Sequence, residues 1–578
     1  MPNYFGGIGL LKKTVRFVTR NKWLVCLFVI FLFLTLISAV HETFPDEYDN
    51  ILGGYYINKG ILPNVGFFTH HNIGAYFIAS ISTFFTQQSF VLFRLFFALE
   101  IWMAILMTYL LFRSSFGEVK SRFYLLYAAI MLVGSTYWWG QMFLSETLIS
   151  YLLIPIYGLV LLKIFHKKGW RLKELVLVSV LSFLSFSVSL TYIYIFAIIY
   201  PLILGLYIYG LKKKLDFRRI SLAILILGLP YAVFGIYLLV TNSYTEFYFQ
   251  QYYYNFHYYI YNFPDVGGVR STNPIRYAVS TAYQTINGFY GLLIQVKDLN
   301  FEYPFNVSLA LANLLALVYL VIKRKFLLAG FVFSVIVFAN TRSEPLNIKE
   351  TDFHATVYIA LSFFNLAWAS FESVKDLNKK RLNYFSTIIL TVLMVVVWLY
   401  SSFAFLLLTD KFNEKVYGKF MGQTPLIYDR PTVAPILNKI ATKDDYVWVG
   451  PFAFHELLYI NGENPSKYHW FLPQSEAFER FKNGLISDLN LKRPKVIVFE
   501  KGYTAFGKRA EEWNYPIVDF LNYNYFGFEQ LSSLGYVSKA AKSEHFDFTQ
   551  TYYFDNNRRE EIINDLIKNG LIEKGLGF

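Results

Sequence analysis

The stretch His41–Asn72, HETFPDEYDNILGGYYINKGILPNVGFFTHHN, decides how this chain is read. It follows directly on an apolar run, Trp23–Val40, and gathers the acidic pair Asp46 and Glu47, four glycines and the adjacent His70 and His71 into one membrane-edge segment. Pro45 predicts a helix start, because the N–H it lacks would have no partner in the first turn, and carboxylates suit the exposed amides there. Ile51, Leu52, Tyr55 and Tyr56 continue the pattern as a helix lying flat at an interface.

The rest of the chain supplies the membrane. A composition of 55% hydrophobic and 16% charged residues is not that of a water-soluble protein. Apolar runs recur near the ~20 residues that a hydrocarbon layer of ~30 Å requires. Eleven spans are expected: Trp23–Val40, Ser89–Phe112, Phe123–Gly140, Glu146–Leu162, Leu175–Leu190, Tyr192–Gly210, Ile220–Val240, Phe305–Ile322, Phe326–Asn340, Phe353–Phe371 and Tyr384–Leu408. The formal charge of +13 does not point to nucleic acid, since Lys and Arg cluster in short loops between apolar runs, as topology demands. Lys12, Lys13, Arg16, Arg20 and Lys22 precede the first span, which is expected to stay in place as an anchor with the N-terminus cytoplasmic. The lone Cys26 excludes an intramolecular disulfide framework.

Two further apolar stretches, Ile73–Phe85 and Tyr277–Val296, would put the Lys163 and Lys212 clusters on the wrong side if they crossed, so both are placed as interfacial or re-entrant helices. A transmembrane module over residues 1–409 then carries two large outer segments, 41–88 and 241–304. Residues 410–578 form a soluble extracytoplasmic domain. In it the short strands Tyr446–Val449 and Val496–Phe499 alternate with helices near Pro435–Ile440 and Glu476–Leu485, an α/β layer. The aromatic run Tyr244–Tyr261 is read as an interface belt.

The candidate chemistry gathers at the outer rim. One carboxylate of Asp46 and Glu47 can take a proton from a hydroxyl as general base, and Glu146, at the outer end of the fourth span, can share that cavity. His70 and His71 would diverge by about 100° on a helix and grip an ion poorly together, so hydrogen bonding to a sugar or phosphate suits them better. His354 is a similar candidate, and Arg94, inside the second span, and Arg342 can hold a phosphate.

The order of parts resembles the GT-C glycosyltransferases. It does so through a first span followed by Asp46-Glu47, then Gly60-Ile-Leu-Pro63, Thr69-His70-His71, Ser145-Glu146, and a tail opening on Ile436–Ala441 and Asp444–Val449. The likeness is to the bacterial branch related to dolichyl-phosphate-mannose protein mannosyltransferases and lipid A aminoarabinose transferases. Where those proteins commonly carry proline after the loop histidines, this chain has Asn72. The resemblance implies a polytopic GT-C type fold, a polyprenyl-phosphate-linked sugar donor, an envelope acceptor (glycan, lipid or protein), and membrane lipids around the spans. It makes Asp46 the base, with Glu47 its neighbour and Glu146 the second acid. A divalent cation is compatible with that chemistry, but no ligand set for one is legible. A lipid or sugar transporter and a non-enzymatic envelope assembly protein are the competing readings.

Overall fold

The computed structural model describes residues 21–41, 43–210, 217–259, 273–287, 304–339, 353–378, 388–401, 431–451, 453–468, 473, 478–505, 507–540 and 547–575. The first helices are Lys22–Ala39 (α1), Pro45–Asn58 (α2), Gly74–Thr86 (α3), Phe90–Phe116 (α4), Phe123–Gly134 (α5) and Ser145–Phe165 (α6).

By length and composition, six helices among the described residues can cross a membrane: α1, α4, α6, Leu190–Ile208, Phe217–Val240 and Phe353–Leu377. The chain is therefore that of an integral membrane protein. Each of the eleven expected runs contains a helix among the described residues. Local backbone geometry ends some of the shorter ones. α5 gives way to a 3₁₀ turn at Ser135–Trp138, after which Trp139 takes a left-handed φ of 59°. The helices Asn306–Ile322 and Phe326–Val337 are separated at Arg324, whose φ is 53°. α3, at 13 residues, is too short to cross, as expected of an interfacial helix.

The C-terminal part contains a four-stranded sheet built from Val447–Gly450 (β1), Val496–Phe499 (β2), Tyr525–Phe526 (β3) and Tyr552–Asp555 (β4), in the order β1-β2-β4-β3. β1 and β2 run parallel, with Val447 opposite Val496 and Val449 opposite Val498. Both are buried along their whole length, which explains why they read as unbroken apolar runs rather than alternating ones. β4 pairs antiparallel with β2 and with β3. Helices Ala434–Ile440 and Glu479–Leu491 fall where the sequence put them, the second shifted by a few residues.

The opening stretch forms α2, which packs unusually close to α3. A Cβ on Gly53 would lie 2.2 Å from the Tyr76 ring, and one on Gly54 would lie 2.7 Å from the backbone of Ala79. These two glycines therefore permit the approach of α2 to α3. At the far end Asn58 donates to the Ser80 carbonyl and to Thr83 Oγ1, both at 2.9 Å. Gly54→Ala gains helix propensity but drives its methyl into the α3 backbone, which cannot yield as a flexible side chain can. The expected net loss is about 1–3 kcal/mol, read as a lower thermal midpoint in detergent; an unchanged or higher midpoint would contradict this packing.

Candidate functional site

Two residues that the sequence presents as a pair are separated by the helix. Neighbouring positions on an α-helix point about 100° apart, so Asp46 and Glu47 cannot face the same partner. Glu47 turns into the protein and is fully buried. Its carboxylate forms an ion pair with Arg94 of α4, whose Nη2 donates to Oε2 at 2.6 Å and whose Nε faces Oε1. The Phe143 amide donates to Oε1 at 2.8 Å. Burial pushes the Glu47 carboxyl above its usual range, while Arg94 and the Phe143 amide pull the other way. Arg94 is equally enclosed and also donates to the carbonyls of Ala39, at 3.1 Å, and His41, at 3.4 Å. The expected phosphate ligand is thus committed inside the protein, as the cation that anchors α2.

The same anchor reaches the second acid. Asn50 donates to the Phe143 carbonyl at 3.1 Å, so the Phe143 peptide is held at its N–H by Glu47 and at its oxygen by Asn50. Three residues later Glu146 stands, partly exposed, in the first turn of α6. Asp46 is likewise partly exposed. The charges of both act on the His71 imidazole, together with that of Asp49. Asp46, Glu146 and His71 are therefore brought to one rim.

His70 and His71 are not on a helix. They occupy bends before α3, with ring centroids 4.2 Å apart. The expected divergence does not arise, because the loop backbone is fixed from outside by the segment 244–259. That segment is a helical turn, Tyr244–Tyr248, continuing into a π-helix, Phe249–Tyr259, with exposed aromatics on one side and buried glutamines on the other. Its buried Gln250 accepts from the Thr69 amide at 3.1 Å and donates to the Asn64 carbonyl at 2.7 Å, while Gln251 donates to the Thr69 carbonyl at 2.9 Å. Asn255 donates to the His70 carbonyl at 2.9 Å, and the His70 ring lies 4.5 Å from that of Tyr259. The C-terminal domain closes the arrangement from the other side. The Phe68 amide donates to the Lys467 carbonyl at 2.8 Å, and the Phe68 ring packs against Tyr254, Tyr468 and Phe481.

Phe353 packs at a tilt against Phe44 and stacks on Trp139, at centroid distances of 5.0 and 5.8 Å, and so places the turn bearing His354 beside the start of α2. Arg342 lies outside the described residues. Among the described residues no group of three or more His, Cys, Asp or Glu is arranged to hold a metal ion. The sequence reading missed Asp49, Tyr76 and the two glutamines. Asp49 was within reach of it, because it stands three residues after Asp46, where helical side chains share a face.

No family model and no curated protein matches the chain. Among solved structures, the apo oligosaccharyltransferase of Archaeoglobus fulgidus is similar at 13% identity, covering 83% of this chain and 70% of that one, with a TM-score of 0.42. The Archaeoglobus fulgidus oligosaccharyltransferase AglB in complex with an inhibitory peptide and a dolichol-phosphate is similar at 13% identity, covering 93% of this chain and 75% of that one, also at 0.42. Likeness at that level spans most of the chain without establishing a shared fold.

The ion pair yields a double-variant test. Arg94→Met leaves a buried carboxylate without its cation, an expected loss of about 3–5 kcal/mol, and Glu47→Met strands the guanidinium to a similar extent. Arg94→Met combined with Glu47→Met should recover part of the loss in thermal midpoint. A double variant less stable than both singles would refute the pairing.

Proposed function

We propose that this chain is an inverting membrane glycosyltransferase of the GT-C kind, related to the bacterial branch named above. It moves a sugar from a polyprenyl-phosphate donor to a hydroxyl of a cell-envelope glycan, lipid or protein at the outer face of the membrane. The reading rests on the resemblance of Asp46-Glu47, Thr69-His70-His71 and Ser145-Glu146, and one observation supports it most: Asp46 stays partly exposed on the rim beside Glu146 and His71 while its neighbour Glu47 is locked inward on Arg94. Residues 1–409 would then be the catalytic module, with residues 410–578 the outer domain that braces its first loop.

In the proposed step Asp46 takes the proton of the acceptor hydroxyl as its oxygen attacks the anomeric carbon. The bond from that carbon to the phosphate oxygen breaks, and the polyprenyl phosphate leaves with the electron pair. A single displacement inverts the anomeric centre. Glu146 positions donor or acceptor, His70, His71 and His354 line the approach, and Arg342 is a cation for the departing phosphate. Glu47 and Arg94 hold the frame on which Asp46 stands.

Asp46→Asn keeps the size of the side chain and removes the base. Transfer from labelled polyprenyl-phosphate mannose, glucose or galactose should fall by roughly 10²- to 10⁴-fold with the thermal midpoint unchanged. A folded Asp46→Asn protein with undiminished turnover would remove Asp46 from the mechanism.

A further inference from the structure

The displacement just described makes no use of Asp49, yet Asp49 is built into the site with care. It is 2% exposed, accepts the Tyr76 hydroxyl at 2.5 Å and faces His71 Nδ1 at 3.4 Å. Behind it the Tyr76 hydroxyl meets that of Thr69. Thr69 Oγ1, whose proton faces the Tyr76 oxygen, accepts in turn from the His71 amide at 3.0 Å. The connection therefore leaves the His71 side chain, passes through Asp49, Tyr76 and Thr69, and returns to the His71 backbone. Ring and main chain are fixed by one closed circuit. Thr69 and Tyr76 are wholly buried, whereas His71 keeps 24% of its side chain exposed toward the rim.

Among the described residues, the titratable groups facing His71 are Asp46 and Asp49 of α2, Glu146 of α6, Tyr76 of α3 and the ring of His70. Three of these are carboxylates, Asp49 buried and Asp46 and Glu146 on the rim, and carboxylates gathered around one point repel one another unless a positive charge lies between them. Arg94 does not fill that place, since it is turned to Glu47.

We propose that His71 is a positioning residue of this site: seated by Asp49, it carries the positive charge that draws the carboxylates of Asp46 and Glu146 to one point on the rim. This role rests on the glycosyltransferase reading for its consequence, but not for its electrostatics. Burial disfavours the imidazolium, yet the Asp49 hydrogen bond and the charges of Asp46, Asp49 and Glu146 outweigh it and hold His71 above its ordinary value. A raised histidine is fully charged below that ordinary value, near 6.5, and loses its charge as pH rises through the higher folded value. The positioning should therefore be complete below about 6.5 and fail as pH rises through the higher folded value.

The test is the titration of the imidazole itself, by ¹⁵N-histidine NMR of the full chain in detergent micelles, with the His71 signal identified by its absence in His71→Gln. The midpoint should lie above about 6.5 and fall in Asp49→Asn, in Asp46→Asn and in Glu146→Gln. A midpoint at or below that value, or one indifferent to all three substitutions, overturns the proposal. No turnover is needed for this measurement, so its failure is distinct from that of the glycosyltransferase reading, which Asp46→Asn decides by activity. In transfer from polyprenyl-phosphate mannose, Asp49→Asn should move the alkaline limb of kcat to lower pH with the donor KM little changed; an unmoved limb would count against the positioning role.

Discussion

The ion pair between Glu47 and Arg94 joins the first turn of α2 to the helix α4, and the geometry of the rim follows from it. Enclosing two charges costs several kcal/mol each, recovered only when geometry is good and further hydrogen bonds satisfy the remaining donors and acceptors. Those bonds are present: the Phe143 amide on Glu47, and the Ala39 and His41 carbonyls on Arg94. Through them the pair ties together the end of α1, the start of α2, the body of α4 and the approach to α6. With Glu47 pointing inward, helical geometry turns Asp46 outward and sets Asp49 one turn further along.

Much of this architecture was legible in the sequence because it is written in periodicity and punctuation. Pro45 opens α2, and Val496–Phe499 is the strand that its run of apolar residues implied. What could not be read was pairing at a distance. That Arg94 would meet Glu47 rather than a phosphate depends on how α4 packs beside α2, and no local pattern encodes it. Gln250 and Gln251, which the sequence alone did not single out, are the groups that fix the loop backbone at Asn64 and Thr69. Hydropathy likewise continued through Ser135–Trp138, where the backbone leaves the α-helix.

The loop with the two histidines has little regular structure of its own, so its order is borrowed. The π-helical segment supplies side-chain amides on one side, and the C-terminal domain supplies a backbone carbonyl and an aromatic socket for Phe68 on the other. Arg480 of that domain also lies 4.0 Å over the Phe249 ring and pairs with Glu246, joining the two supports to each other. A loop braced in this way can present side chains for chemistry without the stability of a helix beneath them.

The account centres on a single displacement at a sugar's anomeric carbon, assisted by Asp46. The most direct measurement is the anomeric configuration of the product formed by the full-length protein from a polyprenyl-phosphate sugar of known configuration, read from the one-bond C–H coupling at the anomeric centre. The account predicts transfer with inversion. A product that retains the donor's configuration would contradict it, because one displacement from the face opposite the departing phosphate inverts the anomeric centre.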